Sequence, residues 1–208
     1  MNSFKTVKKE RSAEFTEKKS VFIGSVKPVF DEASALGFVG HIKKKQPGAS
    51  HYAYAYIIGE GNITRFSDDG EPQSTAGMPA LSVLQKNGLI NAAVVVTRYF
   101  GGILLGAGGL ARSYAYAARL AVDEAGIAVY ENHAEFEVIC AYADYDKLEK
   151  YVKSQKCVTD SAEFGESVIL SLAVKQSRFE EIRSGIIDLT NGKSKITKKG
   201  ERFCAQEE

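Results

Sequence analysis

The sequence predicts an α+β protein made of two small domains in tandem. Segments with strand-like alternation are mixed with segments of helical period in both halves of the chain. The second half follows the order strand, helix, strand, strand, helix, strand, which is the split ferredoxin-like βαββαβ unit. A chain of 208 residues is long enough for two domains, and we place them at 1–130 and 131–208.

Local patterns place the elements of the first domain. Clusters of Val, Ile, Phe and Tyr predict strands, and amphipathic stripes between a capping residue and a Gly or Asn-Gly stop predict helices. The predicted strands are 20–29, 51–58, 63–67 and 92–97. The predicted helices are 32–45 after the N-cap Asp31, 75–86, and 110–124 before Gly126. This gives a sheet sandwiched with helices rather than a doubly wound parallel sheet.

The same patterns place the elements of the second domain. Its predicted strands are 135–141, 156–164, 167–175 and 195–204. Its predicted helices are 146–153 and 178–189, the latter stopped by Asn191-Gly192.

Composition excludes several classes of protein. No apolar run approaches the roughly 18–20 residues needed to cross a bilayer, and the polar, charged residues 1–20 do not form a signal peptide pattern. Cys140, Cys157 and Cys204 are widely spaced without a CxxC pair, which argues against structural zinc and predicts reduced thiols. We therefore expect a cytoplasmic protein with no membrane partner.

Charge is distributed unevenly along the chain. The formal net charge is only +1, so no global field directs the protein to nucleic acid. Residues 1–128 hold 15 Lys and Arg against 11 Asp and Glu, whereas residues 129–208 hold 12 against 15. A site for a polyanion is therefore expected as a local patch in the first half.

An acidic loop is the first segment that could carry chemistry. Asp68, Asp69 and Glu71 lie within four positions and are followed by Ser74 and Thr75 at a helix start. Clustered carboxylates could hold a divalent cation such as Mg²⁺. Alternatively, Asp and Gly form the turn and Ser74 or Thr75 caps the helix, which is the commoner use of these residues.

A glycine-rich turn is the second such segment. Five glycines follow a buried strand and precede a helix: Gly101, Gly102, Gly106, Gly108 and Gly109. Backbone N–H groups at a helix N-terminus attract anions, Arg98 and Arg112 could pair with phosphate oxygens, and Tyr99 could stack on a base. The segment is neither a P-loop nor a dinucleotide-binding loop. On spacing alone, anion binding and tight turns with close helix packing fit equally well.

His51 and the tyrosines that follow it form the third segment. Tyr52, Tyr54 and Tyr56 share one face of the predicted strand. That face could be a stacking platform, but packing in a core is the commoner use. A lone histidine near a strand start is more often packed and hydrogen-bonded than a ligand or base. No serine or cysteine nucleophile motif is present.

Taken together, these segments resemble the signature of the YigZ/IMPACT family. The resemblance lies in residues 66–72, 74–79, Asn91, 95–102, 105–106 and 108–110, with the lead-in at 20–24 and the strand that begins at His51. It covers roughly residues 18–125, and its Arg-Tyr-Phe-Gly-Gly block is highly specific. The second domain is similar, more weakly, to the small ferredoxin-like domain of bacterial members.

The resemblance implies a fold and a setting for each domain. The first would have a ribosomal-protein-S5-domain-2-like fold, and the second would resemble domain V of elongation factor G. The pair would look like the fourth and fifth domains of that factor, which touch ribosomal RNA. Eukaryotic IMPACT relatives restrain a kinase of a translation initiation factor through an additional N-terminal domain, which is not expected here. Some bacterial relatives carry proline-dipeptidase labels, but no metal-ligand pattern in this sequence supports that activity.

The sequence therefore predicts a non-enzymatic protein that binds RNA, the ribosome or a translation factor and acts in the regulation of translation. The expected anion-binding surface adds Arg65 and His51 to Arg98, Tyr99, Arg112 and the five glycines. One alternative is a metal-dependent enzyme for a phosphorylated or nucleotide substrate, with Mg²⁺ on Asp68, Asp69 and Glu71; otherwise no cofactor is expected. The other alternative is a protein-interaction module.

Overall fold

The computed structural model describes residues 3–205, which form two compact units. One unit is Phe4–Val129, and the other contains Ser3 and residues 130–205. Each unit combines helices with antiparallel strand pairs, which confirms the predicted α+β class. Within residues 3–205, no helix has both the length and the apolar character that a membrane span requires.

The first unit is a five-stranded antiparallel sheet with three helices. Its strands are β2 (Arg11–Glu17), β3 (Ser20–Pro28), β4 (His51–Ile58), β5 (Ile63–Ser67) and β6 (Ala92–Tyr99), and a short strand outside this sheet, β1 (Ser3–Val7), precedes them. The helices are α1 (Glu32–Lys45), α2 (Gly77–Lys86) and α3 (Gly106–Ala125). The sheet order is β2-β3-β6-β4-β5. The predicted strands and helices are confirmed, although α3 begins at Gly106 rather than at residue 110.

Alternation along the central strands separates two cores. Ala53 of β4 and Val94 and Val96 of β6 belong to the core that contains α2 and α3. Tyr56 of β4 and Val95 of β6 belong to the core that contains α1. Because successive side chains of a strand point to opposite faces, the sheet is covered by α1 on one face and by α2 and α3 on the other.

The tyrosine face of β4 is used for packing. Tyr56 is buried in the α1 core, and Tyr52 and Tyr54 pack against it. Tyr56 donates a hydrogen bond to Glu32 Oε1 at 2.6 Å, and burial, followed by this carboxylate, raises the pKa of Tyr56 to about 12. The core interpretation of these residues is therefore confirmed, and His51 lies on the opposite face of the strand.

Two strands precede the first strand predicted from the sequence. β2 forms an antiparallel hairpin with β3, in which Phe15 pairs with Phe22. The turn of this hairpin consists of Lys18 and Lys19, whose φ angles are +45° and +63°. Such turns usually contain Asn-Gly, because few other residues adopt positive φ. The usual hairpin signal is therefore missing from the sequence.

The second unit has the predicted ferredoxin-like order of elements. These are β7 (Ile127–Cys140), α4 (Tyr142–Ser154), β8 (Val158–Phe164), β9 (Val168–Lys175), α5 (Phe179–Leu189) and β10 (Lys195–Ala205). Its strands pair in the order β10-β7-β9-β8. Leu148 of α4 and Ile182 of α5 are fully buried against Phe136 and Leu170. Cys140, Cys157 and Cys204 form no disulfide.

Candidate functional site

The strand register brings Phe22, Arg98 and His51 into one row across the first sheet. Arg98 of β6 pairs with Phe22 of β3 on one side and with His51 of β4 on the other. Arg98 alternates with Val94 and Val96, so the row lies on the face covered by α2 and α3. The row is at the end of β6 that leads into the glycine-rich turn.

Arg98 is part of a buried network. Its side chain is only 6% exposed, and Nη1 donates to Glu71 Oε1 at 2.6 Å. The hydroxyl of Tyr114 donates to the same oxygen at 2.8 Å. The guanidinium carbon lies 5.5 Å from the ring centre of Phe22 and 5.2 Å from that of Phe100. Arg98 is therefore not exposed on the surface, contrary to the expectation from the sequence, and an internal carboxylate balances its charge.

The network is only partly satisfied within the described residues. Burial, followed by the nearby charge of Glu71, raises the pKa of Tyr114, so this residue stays protonated and donates. Nε of Arg98 is buried and has no acceptor within residues 3–205. A buried donor without an acceptor costs about 1–3 kcal/mol. The guanidinium therefore retains hydrogen-bonding capacity that the fold does not use.

The acidic loop is held by three separate sets of donors. Asp68 accepts hydrogen bonds from the backbone N–H groups of Ser74, Ala76 and Gly77 at 2.8–3.0 Å. It thereby caps α2, whereas the expected cap at Ser74 or Thr75 is wrong: the N-cap residue is Ala76, and Thr75 donates to the carbonyl of Pro72.

The other two carboxylates of the loop have different partners. Asp69 accepts from the N–H of Tyr52 at 2.7 Å and from Lys43 Nζ at 3.2 Å. Glu71 is bound by Arg98 and Tyr114. Across residues 3–205, no three His, Cys, Asp or Glu side chains are grouped as a metal site. Asp68, Asp69 and Glu71 are thus not gathered around a common cation position, because each carboxylate points to its own donors.

The glycines of the turn serve different purposes. A Cβ at Gly101 would lie 2.0 Å from the backbone carbon of Lys19, and Gly102 and Gly106 have φ angles of +82° and +70°. The fold itself requires glycine at these positions. Gly109 is also tight, since its Cβ would lie 3.1 Å from Leu105 Cβ. At Gly108 a Cβ would meet only Arg112 Nη1, at an ordinary 3.5 Å.

The N-terminus of α3 is open and carries a positive charge. Leu105 is the N-cap residue, and no side chain within residues 3–205 caps this end of the helix. Arg112 is exposed, its Nη1 lies close to Gly108, and it has no ion pair with any described residue. The first N–H groups of a helix carry partial positive charge. Arg112 therefore adds a full charge to an end of the helix that is already positive.

Two shallow clefts flank Arg112 on the outer side of α3. The first has a volume of about 490 Å³ and is lined by Phe15, Glu17, Lys18, Leu105, Gly109, Arg112, Ser113 and Tyr116. The second, of about 570 Å³, contains Arg112 and Tyr116 together with Lys86, Arg119 and Asp123. We call this surface, defined by Lys18, Lys86, Arg112, Tyr116 and Arg119, the α3 face.

A third cavity lies at the Arg98 row. It has a volume of about 460 Å³, and its lining combines all three segments singled out in the sequence. We call it the Arg98 cavity; it is lined by Ser50, His51, Gly70, Glu71, Pro72, Arg98, Phe100, Leu104, Leu105, Gly106, Ala107 and Leu110. His51 Nδ1 lies 2.8 Å from the carbonyl oxygen of Asp69. Because a carbonyl only accepts, Nδ1 carries the proton and Nε2 is the nitrogen left for other partners.

Two residues of the expected surface lie elsewhere. Arg65 is exposed on β5, 3.8 Å from Glu32 Oε1, and lines neither the Arg98 cavity nor the clefts of the α3 face. Tyr99 is half-buried and donates to the carbonyl of Pro47 at 3.2 Å. Sequence reasoning in turn missed Lys18 and Tyr116, although Tyr116 lies one helical turn after Arg112 and that spacing was a usable signal.

We expect the buried ion pair to stabilise the first unit far more than an exposed one. Glu71→Gln should lower the free energy of unfolding by about 3–5 kcal/mol, because it leaves the Arg98 charge buried without a partner. Asp123→Asn is the matched control: its pair with Arg119 is mostly exposed at 3.4 Å, so the loss should stay below about 1 kcal/mol. Urea unfolding followed by circular dichroism measures both.

A double substitution separates charge from packing in the same experiment. Glu71→Gln combined with Arg98→Met removes both charges, so it should recover part of the stability lost in Glu71→Gln alone. If Glu71→Gln and Asp123→Asn lower the free energy of unfolding equally, the buried pair does not stabilise the unit more than the exposed pair does.

Comparisons with known proteins give a family match in each unit. The Impact N-terminal domain family matches residues 18–122, which include the Arg98 row and most of α3. A second family, described as a domain of unknown function (DUF1949), matches residues 138–193 of the second unit. A crystal structure described as that of a hypothetical protein superposes with a TM-score of 0.64 at 27% identity, covering 94% of this chain and 97% of the other.

Two curated relatives match most of the chain. The IMPACT family member YvyE of Bacillus subtilis is 36% identical over 202 residues, covering 97% of this chain and 93% of the relative. The IMPACT family member YigZ of Escherichia coli is 29% identical, covering 84% of this chain and 87% of the relative. With a match at this level over both units, the chain belongs to the IMPACT family.

Proposed function

We propose that this protein is a non-enzymatic RNA-binding protein that acts in the regulation of translation. In this proposal the α3 face contacts RNA phosphates, and Tyr116 contacts a base. The RNA is bound through its charge and its stacking surfaces rather than through a read-out of base edges.

The position of Arg112 is the observation that carries the proposal. Its guanidinium lies over the open end of α3, beside Gly108, without an acidic partner within residues 3–205. A cation at this end of a helix opposes the helix dipole, so the arrangement lowers stability in the free protein. A phosphate bound there would interact favourably with the guanidinium and with the backbone N–H groups together.

The rest of the α3 face suits a nucleic acid chain. Arg112, Tyr116 and Arg119 follow one another at helical spacing and are all exposed. Tyr116 is 47% exposed and contacts Phe15 edge-on at 4.8 Å, so part of its ring remains accessible. Lys18 and Lys86 border the two clefts on either side. The acids Glu17 and Asp123 moderate the charge, which agrees with a local patch on a chain of nearly neutral total charge.

The β2-β3 turn supports the same proposal. Lys18 and Lys19 both occupy the left-handed region, at a cost of roughly 1–2 kcal/mol for each residue. Asn-Gly would fit this turn without strain. Strained residues concentrate at functional sites, and this turn places Lys18 at the edge of the α3 face.

A protein-interaction module is the second candidate. The loop after β6 exposes three apolar side chains, with Leu104 83% exposed, Phe100 48% and Ile103 41%. Exposed apolar clusters mark binding sites more often than isolated residues do. In contrast, the carboxylates required by the metal-dependent alternative are occupied by internal donors.

We expect single-stranded RNA to bind with an affinity that falls as salt rises. Arg112→Ala should weaken binding at low salt and reduce the slope of log affinity against log salt by about 0.7, as expected for the loss of one phosphate contact on a single strand. Fluorescence anisotropy with a labelled oligonucleotide at several salt concentrations measures the slope.

Arg183→Ala is the control for this experiment. Arg183 is an exposed arginine of the second unit that pairs with Glu180 at 3.1 Å, and its removal should leave the affinity unchanged. If Arg112→Ala also keeps the full affinity and slope, the α3 face is not the RNA-binding surface.

We also expect the turn formed by Lys18 and Lys19 to lower the stability of the protein while contributing to RNA binding. Lys18→Asn combined with Lys19→Gly should raise the free energy of unfolding by about 1–2 kcal/mol, because it relieves the left-handed strain, and it should weaken RNA binding. Lys156→Asn is the matched control, since Lys156 is an exposed lysine of the second unit with a φ angle of +56°. That variant should be stabilised without losing affinity. A turn variant that is stabilised and binds RNA as tightly as the unmodified protein would exclude a role for these lysines.

A further inference from the structure

The Arg98 cavity lies at the first turn of α3, and the proposed RNA surface does not account for it. Its volume of about 460 Å³ falls within the roughly 300–1,000 Å³ typical of small-molecule sites. Its lining combines apolar side chains, among them Phe100, Leu104 and Leu110, with polar groups. Small-molecule sites typically have such a composition, in which a few polar groups orient the ligand.

Backbone donors form one polar wall of the cavity. Gly106 and Ala107 line it and are the first residues of the 20-residue helix α3. No described side chain caps this end, so these amides have no internal acceptor. Both residues are exposed. The wall is therefore suited to an anion.

Arg98 is an independent sign of a ligand at the same place. Only 5% of Arg98 is exposed, and the residue lines the cavity. A guanidinium has five N–H donors, and within residues 3–205 they meet only two acceptors, Glu71 Oε1 at 2.6 Å and Ser20 Oγ at 3.5 Å. Nε has none. Three donors of a buried cation that lines the cavity thus lack an acceptor within residues 3–205.

The carboxylate of Glu71, which lines the cavity, does not prevent an anion from binding there. Glu71 has a side chain that is 3% exposed, and its Oε1 accepts from both Arg98 and Tyr114. Its charge is therefore balanced by Arg98. With Nδ1 donating to the carbonyl of Asp69, the neutral ring of His51 presents Nε2 as an acceptor, so His51 adds no donor for the phosphate. Lys43, which pairs with the carboxylate of Asp69, does not line the cavity.

We propose that the Arg98 cavity binds a phosphate monoester with a planar group, of the size and chemistry of a nucleoside monophosphate. The phosphate accepts hydrogen bonds from the first turn of α3 and from the guanidinium of Arg98. The planar group rests against Phe100, whose ring is half exposed, and against Leu104. This inference does not depend on the α3 face or on its RNA.

Calorimetric titration of the full chain tests the ligand class directly. The probes are inorganic phosphate, adenosine, adenosine 5′-monophosphate and a single-stranded RNA oligonucleotide. We expect the monophosphate to bind, adenosine to bind at least about tenfold more weakly because it lacks the charged acceptor, and inorganic phosphate to bind weakly. Equal binding of adenosine and its monophosphate would overturn the proposal.

Substitutions at Ala107 test the backbone donor. Ala107→Pro removes one N–H that the helix does not use, and proline is tolerated in a first helical turn. It should weaken monophosphate binding about tenfold, the value of a hydrogen bond to a charged group. Ala107→Val keeps the N–H with similar bulk and should bind within about twofold of the unmodified chain. Circular dichroism confirms that each variant is folded.

A second variant tests the apolar side chains of the cavity, and circular dichroism confirms that it is folded. Phe100→Ala should weaken binding of the monophosphate but leave that of inorganic phosphate unchanged. If neither the monophosphate nor the RNA binds in a manner that depends on the Ala107 N–H, the proposal is wrong.

The titration with the RNA oligonucleotide shows whether the ligand is a free nucleotide or part of an RNA chain. It also separates this proposal from that of RNA binding by the α3 face. Binding of the free monophosphate indicates a free nucleotide, whereas RNA binding that is weakened by Phe100→Ala, without monophosphate binding, indicates a nucleotide unit of RNA in the cavity. Phe100 lines the Arg98 cavity and neither cleft of the α3 face, so this comparison reports on the cavity. Arg112→Ala should weaken RNA binding through the α3 face while keeping monophosphate binding. Either proposal can therefore fail while the other holds.

Discussion

The ion pair between Arg98 and Glu71 is the interaction on which the candidate site depends. It joins the end of β6 to the acidic loop, and Tyr114 extends it to α3. Burying two charges is costly, and the cost is offset only where geometry and additional hydrogen bonds are good. Here the pair is short, a second donor binds the same oxygen, and Phe22 and Phe100 flank the guanidinium. The network therefore links β6, the acidic loop and α3 beside the Arg98 cavity.

The sequence predicted the elements of this site more successfully than the partners of its side chains. Alternation in β4 and β6 placed the tyrosines in a core and left His51 on the other face. That His51 and Arg98 are neighbours follows from the strand order, in which β6 lies between β3 and β4. Strand order is determined by non-local packing, which the local pattern does not contain.

The acidic loop shows why the three carboxylates do not form the cation site that the sequence suggested. Asp68, Asp69 and Glu71 are close in sequence, and closeness suggested a shared cation. In the fold, Asp68 reaches forward to cap α2, Asp69 binds the start of β4 and Glu71 turns to the buried arginine. Asp69 has a φ angle of +48°, so the chain turns sharply between these side chains. Neighbouring residues in such a turn point in different directions, and their partners are set by tertiary structure.

The glycine-rich turn combines the two roles that its spacing left open. Gly101, Gly102 and Gly106 are required by close approach or by positive φ, whereas Gly108 leaves space beside Arg112. The outer side of α3 carries the cations proposed for RNA, and its inner side closes the Arg98 cavity. If both proposals hold, one helix start presents its amides to two neighbouring surfaces, each suited to phosphate.

The most direct test of the proposed RNA surface is a map of backbone amide shifts by NMR on the uniformly labelled chain, titrated with single-stranded RNA. We predict that perturbations concentrate at Lys18, Lys19 and the amides of 106–116. Perturbations confined to residues 130–205, or none at RNA concentrations that saturate binding, would contradict this assignment.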